Sequence, residues 1–100
     1  VLLSPSDIYY VESSARFPHY VTKNGLLIGL MLTTSFREEM TGLLTEPFFF
    51  LCGASFLINL AYVKSVEKDG ILFQNGKRLT LPRAPLKGLR IAWTNYWLDN

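Results

Sequence analysis

One cysteine and one histidine are all the thiol and imidazole groups that 100 residues offer. A single cysteine, Cys52, excludes an internal disulfide. Cys52 and His19 together fall short of the three or four N/S ligands a zinc site takes. The neighbours of Cys52 are apolar and uncharged, so it reads as a small core residue and not as a low-pKa thiolate. A lone buried thiol fits a reducing, cytoplasmic setting. The glycine patterns that cradle phosphates or expose a nucleophilic serine, GxGxxG, GxxxxGK and GxSxG, are absent. Glu38 and Glu39 are adjacent on a polar helix face, and His19 has no evident acid in register with it. The reading is a non-enzyme with no cofactor and no metal. Charge is missing from Pro47 to Val63, seventeen residues that include FFFLCGASFLINL. That length is at the bottom of the range for a spanning helix, and Pro47, Gly53, Ser55 and Asn59 interrupt it. The run is expected in a protein core, without membrane insertion. An initiator Met and a signal-peptide pattern are also lacking, so the chain is expected to be one domain, residues 1–100, cut from a longer protein.

What is present is enough apolar residue for one core: 49% hydrophobic and 14% aromatic. The net charge of +2 is unevenly spread. Residues 1–50 hold three basic groups and five acids, whereas residues 64–90 hold seven basic groups (Lys64, Lys68, Lys77, Arg78, Arg83, Lys87, Arg90) against Glu67 and Asp69. A basic C-terminal part suits a polyanionic partner such as DNA.

Local patterns predict a mainly β chain. DIYYVE (Asp7–Glu12) reads as a strand and SSARFP (Ser13–Pro18) as a loop. HYVTK (His19–Lys23) and LLIGLMLT (Leu26–Thr33) read as strands joined by an Asn24-Gly25 hairpin. Gly29 marks a bulge or a close backbone approach. Ser35 with Glu38 forms a capping box, and Phe36, Met40, Leu43 and Leu44 share one face of a short helix ending near Thr45 before Pro47. Phe49–Cys52 and Ser55–Leu60 read as strands separated by Gly53-Ala54. Tyr62–Glu67, Ile71–Gln74 and Lys77–Leu81 make an antiparallel meander turning at Lys68–Gly70 and Asn75-Gly76. A C-terminal helix is expected from about Pro85 to Leu98, its apolar face built from Leu86, Leu89, Trp93, Tyr96 and Trp97.

Four of these segments in this order, DIYYVES, SFREEMTGLL, EPFFFLCGASFLINLAYVKSV and ILFQNGKRLTLPR, resemble the LytTR family over about residues 6–92. This is the DNA-binding output domain of many bacterial response regulators. The resemblance implies an elongated fold of antiparallel β sheets with one short amphipathic helix, here joined by the C-terminal helix. It also implies sequence-specific binding to direct repeats in promoter DNA by loops that enter successive major grooves. In the family, contacts come from the loop after the first strand (here Ser13–His19, with Arg16 and His19), from a polar pair before Ser55-Phe56, and from the Arg ending the last hairpin (here Arg83). Lys77, Arg78 and Lys87 are then expected on the DNA backbone, and Arg83 on a base. At the second place this chain has Leu51, Cys52, Gly53 and Ala54, which carry no side chain able to reach a phosphate or base edge. The expected partners are duplex DNA, an N-terminal receiver or other signalling domain in the full-length protein, and a second copy on DNA. Two other readings stand beside this one. The first is the same fold turned to protein interaction or dimerisation through Phe48–Phe50, Gly53 and Ala54. The second is an unrelated apolar β domain at a membrane.

Overall fold

The structure is a computed structural model that describes residues 3–99; the opening Val1-Leu2 lies outside them. Two antiparallel sheets and a long C-terminal helix account for most of the chain. The strands are β1 (Ile8–Ser14), β2 (Phe17–Thr22), β3 (Gly25–Ile28), β4 (Phe49–Cys52), β5 (Phe56–Asn59), β6 (Val63–Val66), β7 (Gly70–Phe73) and β8 (Arg78–Thr80). The helices are α1 (Phe36–Glu39) and α2 (Arg83–Asp99), with single 3-10 turns at Pro5–Asp7, Leu43–Thr45 and Leu60–Tyr62. One sheet runs β3-β2-β1-β5-β4 and the other β6-β7-β8. The mainly β architecture, the strand order along the chain and both helices follow the sequence expectation. The extents of 34 × 27 × 25 Å make the elongation modest.

The β1-β5-β4 part of the five-stranded sheet is covered on both faces because its strands alternate between two apolar clusters. In β4, Phe49 and Leu51 point to one side and Phe50 and Cys52 to the other, while in β5 Leu57 opposes Ile58. One cluster joins the sheet to β6–β8 and α2 through Tyr10, Ile58, Ile71, Phe73, Leu86 and Leu89. The other packs Ile8, Val11, Phe49 and Leu57 beneath Leu32, Phe36 and Met40. A register shift between Ile8 and Tyr10 interrupts the alternation of β1. It turns Tyr9 and Tyr10 to the same cluster, and both rings meet Phe73, Tyr10 stacking on it at 5.4 Å. Asn59 is buried at the end of β5 with its amide satisfied. It donates to the Ile8 carbonyl (2.9 Å) and accepts from the Ala61 N–H (2.9 Å), capping the 3-10 turn that leads to β6.

Several local expectations need correction. The stretch SSARFP is not a loop: β1 continues to Ser14, and Ser14 pairs with Phe17 across a two-residue turn. Ala15 (φ 49°) and Arg16 (φ 69°) both take the left-handed conformation that such a connection requires. Neither is the Gly or Asn that usually signals it. The second hairpin turns at Lys23-Asn24, one residue earlier than expected, and Gly25 (φ 123°) carries the positive φ as the first residue of β3. Strand β3 ends at Ile28: the Gly29 N–H still donates to the Pro18 carbonyl (2.9 Å), but Pro18 has no N–H to return, and a Cβ on Gly29 would sit 2.9 Å from Pro18 Cγ. That is the close backbone approach expected at Gly29. The capping box forms, Ser35 Oγ accepting from the Glu38 N–H at 3.1 Å, but α1 is one turn long. Its continuation tightens into the 3-10 turn at Leu43–Thr45, where the Thr45 hydroxyl donates to the Gly42 carbonyl (2.8 Å). In α2, Leu86 and Leu89 are buried and Trp93 donates its indole N–H to the Val63 carbonyl (3.0 Å), whereas Trp97 falls outside the covered face.

Candidate nucleic-acid interface

Three segments that are distant in sequence meet at one end of the five-stranded sheet. The β1–β2 turn, Ala15-Arg16, ends there. The β4–β5 turn, Gly53–Ser55, is tied beside it by a hydrogen bond from the Ser13 N–H to the Ser55 carbonyl (2.8 Å). Gly53 in turn lies against the first turn of α2, where a Cβ on Gly53 would stand 3.5 Å from Pro85 Cγ. These are the three places at which the resemblance put DNA contacts.

Arg83, expected at the end of the last hairpin, is the first residue of α2. Pro85, two residues on, lacks the N–H that an interior helical position would use, so it suits the first turn. The Arg83 side chain is solvent-exposed and its Nε lies 3.9 Å from Asp69 Oδ1. An unpaired cation at a helix N-terminus opposes the helix dipole, and Asp69 offsets that. Lys87 and Arg90 follow at i+4 and i+7, both exposed, so they share one stripe of α2 with Arg83. Arg90 is a basic residue that the sequence reading counted but did not assign to the site; its seven-residue spacing from Arg83 was the available signal.

The other expected residues are placed differently. Arg16 sits at the tip, with Nη2 donating to the Leu32 carbonyl at 3.0 Å. His19 is half-buried within β2, flanked by Glu12 of β1 and Ile28 of β3. An acid in register with His19 was therefore present. With a two-residue turn, β2 starts at Phe17 and carries His19 roughly 7–10 Å back from the tip, so it lies on a strand and not on the loop where it was expected. Arg78 is held by Glu67 through both carboxylate oxygens, at 3.0 and 3.3 Å, which raises the guanidinium pKa further. Lys77 lies at the Asn75-Gly76 end of the β7–β8 hairpin, about three strand residues or 10 Å from the Asp69 end, with Nζ 5.4 Å from the centre of the Tyr10 ring. The structure thus brings Arg16, Arg83 and Lys87 towards one end and leaves His19 and Lys77 outside it.

The residues expected in an apolar contact surface, Phe48–Phe50 with Gly53 and Ala54, differ in exposure. Phe49 is buried, and Phe48 and Phe50 are half-buried against the two clusters. Gly53 and Ala54 are exposed at the tip. They add no charge there, but they allow close approach. Among the described residues there is no group of His, Cys, Asp and Glu that could hold a metal ion, and no helix is long and apolar enough to cross a membrane.

The family profile of the LytTr DNA-binding domain matches residues 1–94. The chain belongs to the LytTR family. A solved structure with the same fold is the LytTr DNA-binding domain of a protein described as a methyl-accepting/DNA response regulator from Bacillus cereus. It aligns with a TM-score of 0.72 at 21% identity, covering 92% of this chain and 85% of that one. No curated protein matches the sequence. Within this LytTR domain, the three segments that the resemblance singled out meet at one end of the five-stranded sheet.

Proposed function

We propose that this LytTR domain binds duplex DNA sequence-specifically, as the output domain of a bacterial two-component transcriptional regulator acting from direct-repeat promoter sites. The observation that supports this most is the meeting of the Ala15-Arg16 turn, the Gly53–Ser55 turn and the start of α2, with Arg83, Lys87 and Arg90 in one exposed stripe. In this reading Arg83 takes a guanine edge, since its guanidinium can offer two parallel N–H donors to O6 and N7. Lys87 and Arg90 take phosphates, helped by the free N–H groups of the first turn of α2. Arg16 approaches the backbone from the neighbouring tip with the part of its guanidinium that Leu32 leaves open. Gly53-Ala54 lets the duplex come close without adding a contact. Arg78, engaged with Glu67, and Lys77, away from this end, contribute long-range attraction only. In the full-length protein a receiver or other signalling domain controls access to the site.

The test is selection from random duplexes at two salt concentrations. A recovered motif, with affinity falling steeply as salt rises, is the expected result. A pool that stays random, or retention that ignores salt in a folded chain, would falsify the reading.

A further inference from the structure

The five-stranded sheet has one open edge. Strand β3 is terminal in the order β3-β2-β1-β5-β4, and all four of its residues are exposed. Every residue of β4, at the opposite edge, is buried or half-buried. The open edge is longer than β3 itself. Beyond Ile28 the chain stays alongside β2, with the Gly29 N–H bonded to the Pro18 carbonyl (2.9 Å) and the Leu32 N–H to the Arg16 carbonyl (2.7 Å). Its sequence from Leu26 to Met31 is LLIGLM, without a charge or a proline. Leu26, Ile28 and Leu30 are 56%, 59% and 91% exposed, and Leu27, Met31 and Phe17 add to the same patch. Exposed sheet edges are ordinarily blunted by a lysine, a proline, a bulge or a covering segment. None of these protects Leu26–Leu30 among the described residues; the one-residue slip between the Gly29–Pro18 and Leu32–Arg16 bonds bulges the chain only at Met31–Leu32, beyond that stretch.

We propose that this edge pairs with the same edge of a second copy of the chain, as an antiparallel two-fold dimer with Ile28 on the axis. The register follows from the ladder. Because the Gly29 N–H turns inward to Pro18, alternation turns the backbone groups of Leu26, Ile28 and Leu30 outward. Centring on Ile28 sets Ile28 against Ile28, and Leu26 of each copy against Leu30 of the other, so every outward N–H and C=O finds a partner. No like charges meet, since Lys23, the nearest cation on the β3 side, falls opposite Thr33 of the other copy. The six apolar residues expose on the order of 700 Å² per copy, so about 1,400 Å² is the ceiling on the apolar area the pair covers, and that ceiling lies inside the range of stable specific interfaces. With a single apolar edge available, the pairing closes at two copies and does not propagate. A two-fold pair cannot seat both copies identically on direct repeats, so it is a state of the free chain that opposes tandem binding. The proposal does not rest on the DNA reading, and its test contains no DNA.

The test is sedimentation of the 100-residue chain over a concentration series, with amide hydrogen exchange on the same samples. The expected species has twice the mass of 11.4 kDa. On dimerisation the amides of Leu26, Ile28 and Leu30 slow by about tenfold or more, while Leu27 and Gly29, bonded inward, are slow throughout. Ile28→Lys sets two cations face to face on the axis and gives a monomer with an unchanged near-ultraviolet spectrum. An equal mixture of Leu26→Lys and Leu30→Glu, each monomeric alone, recovers the dimer. A monomer at every concentration, a ladder of larger species, a dimer that survives Ile28→Lys, or protection of Leu26, Ile28 and Leu30 that ignores concentration each overturns the proposal.

Discussion

Arg16 holds Leu32 twice: its carbonyl accepts the Leu32 N–H at 2.7 Å, and its guanidinium donates to the Leu32 carbonyl at 3.0 Å. The clamp joins the strained tip of the β1–β2 hairpin to the point where the chain leaves the sheet edge and enters the second cluster at Leu32. Arg16→Ala keeps the backbone bond and the left-handed turn but removes the charged donor. It is expected to cost about 1–2 kcal/mol, read as a lower urea midpoint with unchanged slope. An unaltered midpoint would show that the guanidinium holds nothing.

Asp69 stands beside Arg83 at the start of α2, 3.9 Å from it and equally exposed. The pair contributes little to stability at that exposure, but it places a negative charge within the proposed DNA surface. Asp69→Asn is expected to tighten binding several-fold to every duplex, matched and unmatched alike. Arg83→Ala is expected to weaken the matched duplex by about 1–3 kcal/mol and to relax preference at one position. Lys87→Ala and Arg90→Ala should each weaken all duplexes and lower the salt slope by about one. Equal losses on matched and random DNA for Arg83→Ala would make it a phosphate contact and not a base reader.

Asn59 is a polar side chain inside the core whose two hydrogen bonds connect β1 to the turn before β6. Removing it leaves the Ile8 carbonyl and the Ala61 N–H without these partners, each a penalty of roughly 1–3 kcal/mol. Asn59→Ala is therefore expected to destabilise by about 3 kcal/mol, a large share of a small domain's stability, visible as a drop in Tm or in the urea midpoint. A loss under 1 kcal/mol would mean that water takes over both bonds.

The fold was legible where side-chain periodicity decides it. Phe49–Cys52 and Leu57-Ile58 alternate cleanly between two cores, and Leu86 and Leu89 share a helix face. What escaped was decided by tertiary contact. Ala15-Arg16 carries no turn residue, so the hairpin is closed by the pairing of its strands with each other and with β5, and local sequence does not announce it. The length of α1 is set by how Met40 and Leu43 reach the core, not by its capping box. For the candidate site, the individual cations were readable and their company was not. Glu67 engages Arg78, and Glu12 comes opposite His19, only once the strands are in register. The exposed edge at Leu26–Met31 was read as an ordinary strand, because sequence does not tell an edge from an interior position when both are apolar.

Burial in the first cluster pushes the Cys52 thiol from 9.0 up to about 11. In the unfolded chain the thiol loses its proton near pH 9, while in the folded chain it keeps it until near pH 11. Between those values the folded state binds more protons than the unfolded one, so stability falls as pH rises through that window and is unaffected by this group below it. The slope amounts to at most about 1.4 kcal/mol per pH unit. Tyr20, whose hydroxyl pKa is raised by burial and by Glu39, acts in the same direction, so the contribution of Cys52 is isolated by difference. The wild type is expected to lose more stability than Cys52→Ala between pH 9 and 11, and the two curves should run parallel below pH 8. At neutral pH the thiol is protonated and enclosed, so a thiol reagent is expected to label it only as fast as the chain opens, with rapid labelling in urea. Fast labelling of the native chain at pH 7 would place Cys52 outside the core, and parallel stability curves up to pH 11 would show that its proton is indifferent to folding.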